Sequence, residues 1–458
     1  MELLVTELVL LAPLFVAGGL AQLLVPRRVH AWQQRLANRF RPARHRPAPA
    51  SLTPAPASLT SAPASLTWGH ALRMRIAGGL AAALGLGILA LLRPVPFHVG
   101  SEAPASDDGA LRATVARAMA PLLESGKAVG VAVGVVDSTG THVFGFGRAR
   151  LDRREPPDGR TVFEIGSITK VFTTLLLVRM VEQGRLRLDQ PVEELLPDSV
   201  RVPRFEGQPI TLEHLATHRS GLPRIPSNLG IRPSDLVPSL SNPYADYGVD
   251  RLYRYLETAR LRRAPRAQVS YSNLGGGLLG HALERAAGVD YETLVRREIC
   301  EPLGMADTRV ELNLELRERL AQGYVVSPLS LVGWKLAFPT RLWDSGSLAG
   351  AGCLRSTVDD MLRFLEANLG AVHTPLAAAM DSTHRPRYAE AERLKVGLGW
   401  FTRFPKDGRE PIVWHNGGTG GYRSFIGFMR ERCVGVVVLA NTTTDIDGAA
   451  VRLLRELR

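Results

Sequence analysis

Phe163-Glu-Ile-Gly-Ser167-Ile-Thr-Lys170-Val-Phe-Thr-Thr-Leu-Leu-Leu-Val178 is the stretch from which the rest of the chain can be read. Its second half is a strongly apolar helix pattern. A helix beginning near Ser167 puts that hydroxyl at the helix N-terminus and Lys170 one turn on, on the same face. An amine there is near the hydroxyl proton, and burial together with the positive helix end lowers its pKa, as a base requires. The backbone N–H of Ser167 is then free to form half of an oxyanion hole. Lysine is scarce: of 56 Lys and Arg only five are Lys, at 127, 170, 335, 395 and 406. Arg cannot release its proton, so a Lys inside an apolar stretch is the informative one. A lone Ser-x-x-Lys also fits an N-cap serine followed by a surface lysine, and the spacing alone leaves both readings open.

Outward from this stretch, Ala110–Glu124 has helical spacing. Val129–Val136 and Thr141–Gly147 are β-rich runs around Asp137-Ser-Thr-Gly140, which reads as a hairpin. Residues 160–400 are mostly helix and loop. Ile412–His415, Tyr422–Met429 and Cys433–Ala440 are strand-like, and Ile446–Leu457 is a short helix. Strands at both ends with helices between predict one sheet assembled from both termini, with a helical part inserted.

Several further phrases occur in order: Thr211-Leu-Glu-His-Leu-Ala-Thr-His-Arg-Ser-Gly-Leu-Pro223, Tyr271-Ser-Asn273-Leu-Gly, Glu301-Pro-Leu-Gly-Met305, Val396-Gly-Leu-Gly-Trp400 and His415-Asn-Gly-Gly-Thr-Gly-Gly421. With Ser167-Ile-Thr-Lys170 they resemble the motifs of the serine β-lactamase and penicillin-binding-protein superfamily, in its class C branch, over roughly residues 110–458. Six ordered matches are far more specific than one. The resemblance implies an α/β unit of the β-lactamase/transpeptidase type: an antiparallel sheet of about five strands flanked by helices, a mainly helical insertion, and an active site between them.

It also implies an acyl transfer with no cofactor and no metal. Ser167 is the expected nucleophile, Lys170 part of its base and Tyr271 a proton carrier, because a phenol beside an amine can pass a proton between nucleophile and leaving group. Asn273 is expected to hold an amide, of the substrate or beside Lys170. His415 stands where β-lactamases carry Lys, and is expected to face the substrate while only partly charged at neutral pH. That departure resembles esterases and D-peptide hydrolases. Gly417 is expected to let the substrate backbone approach the strand, and the Gly418 N–H to complete the oxyanion hole. Arg423 is a weaker candidate for an anionic substrate. His214 and His218 have metal-ligand spacing, yet the resemblance gives that phrase a structural role.

The net charge of +12 is uneven: residues 1–104 hold ten Arg against three Glu, a balance of +7. There is no basic stripe interleaved with aromatics, so a nucleic-acid partner is not expected. Two uncharged runs, 8–25 and 76–92, approach the length of a membrane-spanning helix, and nine Arg lie between them. By the positive-inside rule that loop is cytoplasmic and residues from about 94 onward are delivered outside. The alternative is a signal peptide starting at Met74. Inside the loop the unit Pro-Ala-Pro-Ala-Ser-Leu-Thr occurs at 47–53 and 54–60, and with Ser in its first place at 61–67. Its prolines make it a tether rather than a coiled coil.

The expected organisation is a membrane anchor over 1–93, a linker over 94–109 and a catalytic domain over 110–458. Cys300, Cys353 and Cys433 are widely spaced and read as small buried residues rather than a disulfide framework. The expected partners are a small-molecule or peptide substrate and the membrane. Rival enzyme readings are a D,D-carboxypeptidase or D-aminopeptidase, an esterase and a class C β-lactamase, and a rival from another class is a membrane-tethered sensor whose serine does not turn over.

Overall fold

The structure, a computed structural model, describes residues 95–98, 109–230, 241–331, 334–344 and 346–457. The apolar runs at 8–25 and 76–92 and the repeat at 47–67 lie outside the described residues. Among the described residues no helix is long and apolar enough to cross a membrane.

Strand β1 (Val95–His98) precedes helix α1 (Gly109–Leu123), strands β2 (Gly130–Asp137) and β3 (Gly140–Gly147), and the two-residue strand β4 (Phe163–Glu164). Helices α2 (Thr169–Glu182), α3 (Leu212–Ala216), α4 (Val249–Thr258) and α5 (Asn273–Ala287) follow. Then come β5 (Tyr324–Leu331), β6 (Trp334–Pro339), β7 (Arg355–Ser356), α6 (Val358–Leu369) and α7 (Ala377–His384). The chain closes with β8 (Tyr388–Ala391), β9 (Leu394–Val396), β10 (Phe401–Arg403), β11 (Ile412–Gly418), β12 (Arg423–Met429), β13 (Val434–Ala440) and α8 (Asp447–Glu456).

The main sheet is antiparallel and has the order β3-β2-β13-β12-β11-β10-β9-β8. Strands from the two ends of the catalytic region therefore lie side by side, and Val133 of β2 pairs with Val438 of β13. The first five strands in that order are those expected from sequence. The three more, of three or four residues each, are too short to display an alternating pattern. Strand β13 is buried at all seven positions because the sheet is covered on both faces. Val436 and Val438 pack with Val115, Met119, Leu453 and Leu454 of α1 and α8. Val437 and Leu439, pointing the other way, join the cluster that holds Leu362 and Leu365 of α6. Truncating such a residue, for example Leu453→Ala, costs about 2–5 kcal/mol.

Helix α2 crosses the interior, with eleven of its fourteen residues buried, which is why its pattern is apolar on all sides. A separate three-stranded sheet, β1-β6-β5, forms from segments read as linker and loop. Val95–His98 thus departs from the expected linker: it pairs with Trp334–Ala337, a partner some 240 residues away that no local pattern announces. The cysteines divide. Cys300 and Cys353 are buried as expected, whereas Cys433 is exposed, in the turn between β12 and β13.

Candidate active site

Ser167 sits in a single 3-10 turn, Gly166–Ile168, that runs into α2. The turn is pinned from two sides. Strand β4 pairs with β7, and the Ser424 hydroxyl of β12 donates to the Ile165 carbonyl at 2.7 Å. Gly166 has φ +50, and a Cβ there would lie 2.7 Å from the Gly418 nitrogen. Only glycine both adopts that backbone and lets the nucleophile turn abut the end of β11. Ser167 and Gly418 consequently line one cleft, with Asn273, Tyr244, Trp343 and Thr419.

Lys170 is buried, and its Nζ has three neighbours: Ser167 Oγ at 3.0 Å, Asn273 Oδ1 at 3.0 Å and the Ala351 carbonyl at 2.6 Å. Burial, helped by the nearby Arg224 charge, holds its pKa well below the usual lysine range. A neutral amine has two N–H groups and one lone pair. Two of its neighbours can only accept, since Asn273 Nδ2 is committed to Tyr244 Oη at 3.1 Å. The third is a hydroxyl, so the lone pair is left facing the Ser167 proton.

Tyr271 precedes α5 and hydrogen-bonds with the Ser167 side chain. Burial pushes its phenol up to about 12, against the opposing pull of that hydrogen bond and of the Arg224 charge. It is therefore a proton donor at neutral pH, not a phenolate. Lys170 Nζ lies 4.9 Å from its ring centroid, and the His218 ring packs against it, tilted by 38°, at 4.4 Å.

His415 departs from expectation. Its side of β11 faces inward, so it is fully buried, 6.4 Å from the Tyr271 ring and 5.6 Å from Phe401. Desolvation, with the Lys170 charge adding to it, lowers its pKa to about 3, and Nδ1 lies 2.6 Å from the Asn416 carbonyl. It is a neutral imidazole behind the tyrosine rather than a partly charged group at the substrate. Gly417 departs likewise. A Cβ there would meet the Ile165 carbonyl at 2.1 Å and Ser424 Oγ at 2.3 Å, so this chain, not substrate, fills the space beside it. Arg423 lies against Gly418 and contributes its charge to Asp447.

His214 is occupied at both ring nitrogens and His218 at one, its Nε2 being buried without a partner. His214 Nδ1 accepts from the Thr211 N–H at 3.1 Å and Nε2 from Arg266 Nε at 2.9 Å. His218 Nδ1 accepts from the Ser272 N–H at 3.3 Å. Among the described residues there is no group of His, Cys, Asp and Glu placed to hold a metal.

Sequence reasoning missed Tyr244 and Trp343, both in loops, and the Ala351 carbonyl at the end of the 3-10 helix Gly346–Ala351. The Gly-rich run Ser347-Leu-Ala-Gly-Ala-Gly-Cys353 was the available signal for the last, since it marks a close backbone approach. Trp343 is held by a buried ion pair. Its N–H donates to Glu164 Oε1 at 2.7 Å, its carbonyl accepts from Arg355, and Glu164 and Arg355 lie 3.4 Å apart.

A family model described as Beta-lactamase matches residues 115–457. The chain is 31% identical over 325 residues to the D-alanyl-D-alanine-carboxypeptidase/endopeptidase AmpH of Escherichia coli K12, covering 68% of this chain and 79% of that protein. Among solved structures, it resembles a beta-lactamase/D-alanine carboxypeptidase from Yersinia pestis, with TM-score 0.65 and 26% identity over 76% of this chain and 98% of that one. It also resembles a D-alanine carboxypeptidase AmpC from Burkholderia cenocepacia, with TM-score 0.63 and 27% identity over 77% and 100%.

Proposed function

The chain belongs to the beta-lactamase family, whose members are serine hydrolases acting through an acyl-enzyme, and on that premise we propose that it hydrolyses peptides or esters of the D-amino-acid class. The observation that carries the chemistry is the pairing of both Lys170 N–H groups with Asn273 Oδ1 and the Ala351 carbonyl. The lone pair then takes the Ser167 proton as Oγ attacks the substrate carbonyl. The oxyanion forms between the N–H groups of Ser167 and Gly418. Tyr271 delivers a proton to the leaving group as the tetrahedral intermediate collapses, and Lys170 replenishes the phenol. Water then attacks the acyl-enzyme, with the same groups used in reverse.

The substrate class rests on what AmpH and the two structural relatives are named for: peptides that end in D-alanine. A beta-lactamase of Pseudomonas fluorescens, 25% identical over 72% of the chain, supports β-lactam hydrolysis as a second reading. The neutral His415, where β-lactamases carry Lys, favours the first. The two apolar runs with nine Arg between them support a membrane-held protein whose catalytic domain lies outside the cytoplasm.

The test is fluorophosphonate labelling of the full chain in detergent. The adduct is expected on Ser167 and lost in Ser167→Ala, with turnover of a D-Ala-D-Ala peptide exceeding that of a chromogenic cephalosporin. An adduct elsewhere refutes the assignment, and binding without any turnover favours the sensor.

A further inference from the structure

A buried neutral histidine at position 415 leaves open which cation meets a charged substrate. The Arg224 side chain is exposed, and its Cζ lies 5.3 Å from the centroid of the Tyr271 ring. Its backbone is fixed: the Arg224 carbonyl accepts from the N–H groups of Asn273 at 2.9 Å and Leu274 at 3.2 Å, and Ser272 Oγ donates to the Pro223 carbonyl at 2.6 Å. The loop that carries Arg224 is thereby fastened to the Tyr271–Asn273 segment. No carboxylate among the described residues pairs with it, whereas Arg423 has Asp447 nearby. The Arg224 charge is felt by Lys170, His218 and Tyr271 alike, so it faces the reacting groups rather than bulk solvent alone.

We propose that Arg224 is a specificity residue that recognises a carboxylate on the leaving group of the substrate. Tyr271 must place its proton on the departing nitrogen or oxygen, so the leaving group lies over Tyr271. In a C-terminal amino acid the carboxylate is two bonds from that nitrogen, and the guanidinium over the Tyr271 ring is a cation within reach of it. A guanidinium and a carboxylate make charge-assisted, paired hydrogen bonds. This inference rests on the acyl-transfer reading and adds to it the residue that selects a free carboxyl end.

The experiment compares two esters of one acyl group, a glycolamide ester and its glycolate counterpart, whose carboxylate is two bonds from the leaving oxygen, in the full-length enzyme. Loss of the Arg224 charge also alters Lys170, but that affects both esters equally, so the informative quantity is the ratio of their kcat/KM values. The native enzyme is expected to favour the glycolate ester, and added salt to reduce the preference, since an exposed cation is screened. Arg224→Gln is expected to lower the ratio by about ten-fold or more, and Arg224→Lys to retain only part of it, because an ammonium keeps the charge but not the paired hydrogen bonds. The inference is overturned if the native enzyme shows no preference, if Arg224→Gln leaves the ratio in place, or if Arg423→Gln removes it instead. If neither ester nor a fluorophosphonate acylates Ser167, the acyl-transfer reading itself falls, and this inference with it.

Discussion

His415 stands behind Tyr271, not in front of it: the two rings are 6.4 Å apart, and the imidazole has no exposed surface. With its pKa lowered to about 3 by burial, the histidine stays neutral across the working range. Activity on an anionic substrate is therefore expected to show no descending limb near pH 6.5, the ordinary imidazole value. His415→Lys places an ammonium in a sealed site, and is expected to lower the melting temperature and depress turnover of charged and neutral substrates together. A selective gain on cephalosporins in that variant would show that the residue reaches substrate after all.

Lys170 must be neutral to act, and its pKa is lowered, so activity rises with pH through that depressed value and is retained far below the usual lysine range. Lys170→Arg keeps the charge but cannot lose a proton. Acylation of Ser167 is expected to fall by about 10²–10⁴-fold, measured by stopped-flow labelling, with a normal circular dichroism spectrum. Retained acylation would assign the base to another group.

Glu164 and Arg355 are both buried and together grip the N–H and carbonyl of Trp343. Glu164→Gln leaves Arg355 as an uncompensated buried cation, which costs about 3–5 kcal/mol in chemical denaturation. Trp343→Ala, by contrast, is expected to raise KM for substrates with bulky acyl groups more than it lowers stability. A variant Glu164→Gln as stable as the native protein would show that the pair does not brace the cleft.

Buried neutral histidines also make the fold acid-sensitive. His384 and His415 have pKa values lowered to about 3, and His214 to about 4, chiefly by burial. The unfolded chain protonates these groups near pH 6.5, so between pH 6.5 and the folded values it binds more protons. Stability is complete above pH 6.5 and is lost as pH falls through that window. His384→Gln, which keeps a donor for Asn368 Oδ1, is expected to reduce the slope of unfolding free energy against pH by up to about 1.4 kcal/mol per unit. An unchanged slope would place the acid sensitivity elsewhere.

Much of this was legible in the chain itself. Ser167 and Lys170 could be placed on one helical face because their spacing is set by helix geometry alone. The hairpin around Asp137–Gly140 and the closing strands show their continuous apolar runs to any reader of the sequence. Asn273 beside Lys170 was one of two readings open from its motif. Tertiary structure decided what depends on partners distant along the chain. Trp343 reaches the cleft because Glu164 and Arg355 hold it, and Val95–His98 becomes a strand because Trp334–Ala337 lies beside it. His415 and Gly417 face inward because β11 packs against Ile165 and Tyr271, and a strand's pattern cannot say which of its two faces a neighbour will cover. Spacing along one helix or strand is a local property, so the sequence determined it unaided. Burial, and with it the charge of a histidine or a lysine, is a property of everything packed around the group, so only the assembled fold could decide it.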